Sequence, residues 1–186
     1  MPPKSFTKNM TEITKRVFLV GFMSSGKTTL GKKIANNLQL DFFDFDNYIS
    51  SKIKKSISDI FYNQGEGFFR TCEANLLEDF FEKQNFVLST GGGTPCYFDN
   101  MQKLNKNGIT IFVNTPLYII ISRLINGKVN RPLIENLLPQ QIPDFVKSLY
   151  AQRVHYYEKS NIVYNPFIDN FNKLINEIEN KFSKVV

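Results

Sequence analysis

The chain has 186 residues, 42% of them hydrophobic, which is enough for one α/β domain with a substantial core. Against 17 acidic residues stand 23 basic ones, a net charge of +6, but the lysines are scattered and form no basic block, so the excess reads as solvated surface around an anionic site rather than a nucleic-acid face. The two cysteines, Cys72 and Cys96, have neither metal nor disulfide spacing, which suits a reducing cytosol, and no apolar stretch approaches membrane-spanning length.

Residues 1–16 are polar and carry no apolar h-region of a signal peptide. Residues 1–15 read as a flexible N-terminal arm and 16–186 as a single domain. Val17-Phe18-Leu19-Val20 is a short apolar run of strand type. It leads into Gly21-Phe22-Met23-Ser24-Ser25-Gly26-Lys27-Thr28, which fits the phosphate-loop pattern of Gly, four residues, then Gly-Lys-Ser/Thr. After it, Leu30, Ile34, Ala35 and Leu38 recur at helical spacing. Glycines let successive N–H groups approach an anion, and the following helix adds its positive N-terminus. Lys27 supplies a charge for β/γ-phosphates, and the Thr28 hydroxyl can ligate Mg²⁺. The loop by itself indicates a nucleoside triphosphate, not a reaction.

Asp41-Phe42-Phe43-Asp44-Phe45-Asp46 is expected to be a second strand. Asp44 and Asp46 would then share a face at its C-terminal end, the edge where open α/β sheets bind ligands. Two carboxylates there suit a metal and a hydroxyl-bearing substrate. The other assignment makes Asp46 the N-cap of a helix over 47–54. A further helical segment starts at 58–61, is broken by Gly65-Glu66-Gly67-Phe68-Phe69-Arg70, and resumes to about Lys83 with Leu76, Leu77, Phe80 and Phe81 on its apolar face. Arg70 falls near the start of that helix, where the dipole disfavours a cation. It either meets an anionic ligand or is a surface arginine paired with Glu66 or Glu73.

Residues 87–90 read as a buried strand, followed at once by Gly91-Gly92-Gly93 and closed by Pro95. Three consecutive glycines there predict a ligand-facing loop or a very tight turn. Many phosphate-loop proteins end a later strand in a metal-associated Asp. Here the candidate strands end in Ser89-Thr90 and Val113-Asn114, which leaves Asp44 as the carboxylate nearest Mg²⁺, through water. A strand at 109–113 and a helix at 116–125 precede a flexible basic segment with Gly127, Lys128 and Arg131-Pro132. That segment reads as a mobile lid, about 124–140, able to carry a cation onto phosphates, or else as an exposed loop. A helix over 143–159 contains Arg153 and the only histidine, His155, to which no role is given. A short strand at 162–164, a loop and an amphipathic helix over 171–182 close the chain. The aromatic residues, 14% of the chain, are spaced as core rather than as a base-stacking platform. Alternating strands and helices predict a parallel sheet covered by helices.

The phosphate loop, the Asp-x-Asp pair, Gly-x-Gly-Phe-Phe-Arg, the triple glycine, Arg131-Pro132-Leu133 and a late arginine occur in that order. This combination resembles the shikimate kinase family from about Val17 to Asn165. The resemblance implies an α/β/α sandwich of the nucleoside-monophosphate-kinase type, with a five-stranded parallel sheet in the order 2-3-1-4-5 and a mobile lid. It implies phosphorylation of the shikimate 3-hydroxyl by ATP with one Mg²⁺ per subunit, a step toward chorismate, in a cytoplasmic monomer with no nucleic-acid or membrane partner. Carried over by position, Ser24, Ser25, Gly26, Lys27, Thr28 and Thr29 hold the ATP phosphates, and Thr28 binds Mg²⁺, with Asp44 reaching it through water. Asp46, Arg70, Gly92 and Arg153 hold shikimate. Lys27, Asp46 and Arg131 are the catalytic candidates, Arg131 contacting ATP from the lid. The family's adenine-binding stretch falls near Asn165-Pro166, with Arg123 near the adenine. After Arg153 the family's usual proline is absent, and Val154-His155-Tyr156-Tyr157 stands in its place. Other small-molecule phosphate-loop kinases, for gluconate or nucleoside monophosphates, are the nearest alternatives; a nucleotide-switched binding protein is the more distant one.

Overall fold

A computed structural model describes residues 14–127 and 132–184. Five strands, β1 Arg16–Val20, β2 Asp41–Asp44, β3 Phe86–Ser89, β4 Ile109–Val113 and β5 Ile162–Tyr164, form one parallel sheet in the order β2-β3-β1-β4-β5. Among the described residues seven α-helices join and cover them: α1 Lys27–Leu38, α2 Phe45–Ile53, α3 Ile57–Glu78, α4 Asn100–Asn107, α5 Leu117–Asn126, α6 Ile142–Tyr157 and α7 Phe171–Ser183.

The three layers follow from side-chain alternation. Residues two apart on a strand share a face. Val17 and Leu19 of β1, Val87 of β3 and Ile109, Ile111 and Val113 of β4 face a core built with α1 and α7. Phe18 and Val20, Phe86 and Leu88, and Phe112 face the other core, completed by α2 to α6. Both faces are therefore apolar, as parallel sheets require. Each buried large apolar side chain is worth roughly 1.5–3 kcal/mol in transfer. Val17, Phe18, Leu19 and Val20 all have 0% exposure, which makes β1 the anchor of the sheet.

The register gathers the strand ends. Ser89 of β3 pairs with Leu19 of β1 on one side and with Asp44 of β2 on the other. The residues after β1, β2 and β3 thus emerge together along one rim, the ligand edge of an open α/β sheet.

Several local expectations need correction. β2 ends at Asp44 rather than Asp46, and α2 begins at Phe45. Asp44, not Asp46, caps α2, its side chain accepting from Asn47 N. The local cap competed successfully with two more residues of strand. The expected break at the glycine segment is present, however: α3 is two helical stretches that meet at a kink at Gly65, whose φ 79 and ψ 167 are non-helical. α3 stops at Glu78, short of Lys83. The sequence reading assigns no element to 97–108, where α4 lies; that helix is polar and buries only Asn100, Met101 and Leu104. Arg131, the basic part of the lid and the arm over 1–13 lie outside the described residues. Among the described residues no helix is long and apolar enough to cross a membrane.

Candidate active site

The phosphate loop joins β1 to α1 at the rim. Gly21 and Gly26 sit at φ 138 and φ 98, backbone that an L side chain adopts only under strain. Gly26 is the N-cap of α1, which has no side-chain cap and no acidic residue in its first turn. The first N–H groups and the helix dipole are therefore open to an anion. Lys27 folds back over the loop, its Nζ donating to the carbonyls of Gly21 and Phe22, both at 2.9 Å. Thr115, just after β4, braces the loop from below by donating to Ser25 O at 2.6 Å. Arg123 of α5 donates to Ser24 O at 2.9 Å and lies over the Phe167 ring at 5.7 Å.

Two adjoining cavities open along this rim. The smaller, about 300 Å³, is lined by Ser24, Gly26, Lys27, Thr28, Asp44 and Arg123 among others. The larger, about 460 Å³, is lined by Arg70, Glu73 and Arg153 with Ile57, Phe61, Phe69, Pro132 and Leu133. Thr28, Asp44, Asp46, Gly91 and Gly92 border both. The carboxylates of Asp44 and Asp46 thus stand at one junction, although not through strand alternation: one caps α2 and the other lies in its first turn. Ser25 is buried and Thr29 is exposed on α1, and neither lines either of these two cavities.

At the junction, Thr28 Oγ1 donates to Asp44 Oδ2 at 2.8 Å and lies 3.4 Å from Ser89 Oγ. These are hard oxygen donors, the kind Mg²⁺ prefers. No group of three or more His, Cys, Asp or Glu able to hold a metal occurs among the described residues. The set fits an ion that takes most of its ligands from phosphates and water.

The larger cavity is defined by its arginines. Arg70 is 5% exposed and fully engaged. Its Nε and Nη2 donate to Glu66 Oε1 at 3.1 and 2.9 Å, and its Nη1 to Glu73 Oε2 at 2.7 Å. The partners are those of the surface-arginine alternative, but the guanidinium is buried against the cavity. Burial alone would lower its pKa; the two carboxylates outweigh burial and raise it. Complete burial pushes the Glu73 carboxyl above its usual range despite Arg70 and a 2.6 Å hydrogen bond from Thr94 Oγ1. Partial burial acts the same way on Glu66, but Arg70 and Tyr97 prevail and hold it below that range. Arg153 is also 5% exposed, yet it forms no ion pair with a described carboxylate. α6 continues unbroken past it to Tyr157, so the missing proline leaves the arginine in regular helix, ahead of the last turn.

The triple glycine is explained by close approach, since none of the three has positive φ. A Cβ on Gly91 would lie 2.9 Å from Asp46 Oδ1, and one on Gly92 3.0 Å from Met23 N of the phosphate loop. Gly92 O accepts from Tyr157 Oη at 2.6 Å. Sequence reasoning weighed Glu73 only as a possible partner of Arg70 and passed over Thr94, Tyr97 and Tyr157. Spacing could have promoted Glu73, three residues after Arg70 on one helix. Nothing local marks the other three, which meet the site only through the packing of the sheet.

Comparison with known proteins gives a consistent result. A family model described as shikimate kinase matches residues 23–182. A shikimate kinase from Azobacteroides pseudotrichonymphae is 42% identical over 151 residues, 81% of this chain and 89% of the relative. The solved shikimate kinase of Bacteroides thetaiotaomicron superposes with a TM-score of 0.79 at 32% identity, covering 92% of this chain and 98% of that one. A structure from Acinetobacter baumannii, a shikimate kinase in complex with shikimate, superposes with a TM-score of 0.81 at 29% identity over 93% and 95% of the two chains.

Proposed function

The chain belongs to the shikimate kinase family, and from that premise we propose that it transfers the γ-phosphoryl group of ATP to the 3-hydroxyl of shikimate with the residues gathered at this rim. The hydroxyl oxygen forms a bond to the γ-phosphorus, the bond to the β–γ bridging oxygen breaks, and ADP and shikimate 3-phosphate result. The hydroxyl proton passes to Asp46 or to water. Phosphoryl transfer rests mostly on positioning and charge stabilisation, so Asp46 aligns the hydroxyl first and accepts a proton second.

Arg70 and Arg153 hold the substrate carboxylate, a task suited to the planar guanidinium fork. Phe61, Phe69 and Leu133 offer an apolar wall to the ring. Gly92 and its neighbours bring backbone close to the hydroxyls. Lys27 and the amides of Ser24 to Thr29 hold the phosphates, and Lys27 and Arg131 neutralise charge on the transferring group. Arg123 and the Asn165-Pro166 stretch face the adenine. Thr28, with Asp44 through water, holds Mg²⁺, which when bound supplies charge neutralisation at the phosphates. Segment 124–140 acts as the lid that excludes water.

The observation that carries this reading is the buried Arg153, without an ion pair to any described carboxylate, which shares one hollow with Arg70 and Asp46 beside the phosphate cradle. A buried cation with no close ion pair, which feels the Glu66 carboxylate only at longer range, can take an anion of its own. ADP release from MgATP, titrated with shikimate, gluconate, CMP and AMP, tests it. Release is expected with shikimate alone, and the absence of shikimate-dependent release overturns the reading.

A further inference from the structure

We propose that Tyr97 is a positioning residue for the substrate: acting through Glu66, it holds the Arg70 guanidinium in the orientation that receives the carboxylate. This rests on the reading that Arg70 binds that carboxylate. Tyr97 itself lines neither cavity. Its hydroxyl donates to Glu66 Oε1 at 2.9 Å, and the same oxygen accepts both Nε and Nη2 of Arg70. Its ring lies over Arg70 Cζ at 4.4 Å. Arg70, Glu66 and Tyr97 thus close a ring of contacts in which each fixes the other two.

Glu66 needs that support. It stands between Gly65, the one non-helical residue of α3, and Gly67, and neither glycine has a neighbour within 4 Å of where its Cβ would be. The backbone there is not held by packing, and the Glu66 side chain is 38% exposed. A long side chain so placed has many rotamers to lose on ordering. The Tyr97 hydroxyl selects one of them.

The backbone beside Tyr97 carries the strain. Phe98 adopts φ 50, uncommon for a bulky residue, and the residue is 65% exposed, so its own burial does not hold it there. Such strain persists when the surroundings over-determine it. Here Tyr97 closes the turn Thr94–Cys96 as its extended C-cap, and the bend at Phe98 follows directly, before α4. Thr94, in the same segment, fixes Glu73, which holds the other end of Arg70. The segment after the triple glycine therefore supports both carboxylates that aim one guanidinium.

The test is Tyr97→Phe in the full chain, which keeps the stacked ring and removes the hydroxyl. Kd and KM for shikimate should rise roughly tenfold, with kcat and ATP affinity within about twofold and the melting temperature little changed. Glu66→Gln, which leaves the tyrosine segment untouched, should show the same split. The double variant should be no weaker than Glu66→Gln alone, because the two act in series. Unchanged shikimate affinity in Tyr97→Phe, additive effects in the double variant, or parallel loss of ATP binding and stability would overturn the proposal. Arg70→Ala separates the two levels. If it leaves shikimate affinity intact, the role of Arg70 fails; if it abolishes binding while Tyr97→Phe leaves shikimate affinity unchanged, only the role of Tyr97 fails.

Discussion

Gly93 shows how a single missing side chain serves the site. Its φ of −93 is open to any residue, yet a Cβ there would collide with the Arg70 guanidinium. Arg70 cannot give way cheaply, because Glu66 and Glu73 grip it from two sides. The position is thus occupied by glycine for volume and not for backbone freedom. We expect Gly93→Ala to weaken shikimate binding by roughly tenfold or more while leaving ATP binding nearly unchanged. Calorimetric titration with each ligand distinguishes this from collapse of the loop, which would weaken both.

At the scale of elements, α2 is joined to the site at one end and to α3 at the other. Asp44 caps α2 through one oxygen and accepts from Thr28 through the other. Asparagine can cap a helix but brings no charge to a metal. Asp44→Asn should therefore melt like the parent yet need more Mg²⁺ for half-maximal turnover. Asp44→Ala should also lose about 1 kcal/mol of stability. Identical Mg²⁺ curves for all three proteins would exclude Asp44 from the metal's surroundings. Further along α2, Tyr48 donates to Asp79, just past α3, at 2.6 Å. Burial and then the Asp79 carboxylate push its phenol up to about 12. A group whose folded pKa is raised contributes stability below its ordinary value, and loses it as pH rises through the folded one. Melting of wild type and Tyr48→Phe should differ at pH 8, by about 1 kcal/mol, and converge as pH rises from 10 through 12.

For the molecule as a whole, the two cavities share a rim but draw on different layers. The smaller cavity hangs on β1 and α1, and the arginine-lined one on α3, α6 and the segment after β3. The ligands should then stabilise the fold separately. Shikimate alone, at a hundred times its Kd, should add about 2.7 kcal/mol and raise the melting temperature by roughly 5–10 °C. Arg153→Ala should remove most of that rise and keep the rise caused by ATP. A shikimate rise that survives the substitution would place the carboxylate elsewhere.

The phosphate loop and the two-sided sheet were legible in the sequence because both are local. A fixed spacing of glycines, Lys27 and Thr28 after an apolar run leaves few other conformations, and strict alternation along β1 and β4 dictates two cores. The strand order carried by the resemblance agrees with the sheet observed. Where local signals competed, spacing alone was ambiguous: Asp44 and Asp46 suited one strand, with Asp46 as the alternative cap, and it is Asp44 that caps α2. Arg70 with Glu66 and Glu73 lay within reach of helical spacing, but that the guanidinium is buried beside a hollow did not. Arg153 without a close ion pair to any described carboxylate, Thr94 on Glu73 and Tyr97 on Glu66 are decided only by the tertiary structure. Contacts within a turn are set by bond geometry, whereas contacts across the sheet depend on how every layer packs, and no short stretch of sequence contains that sum.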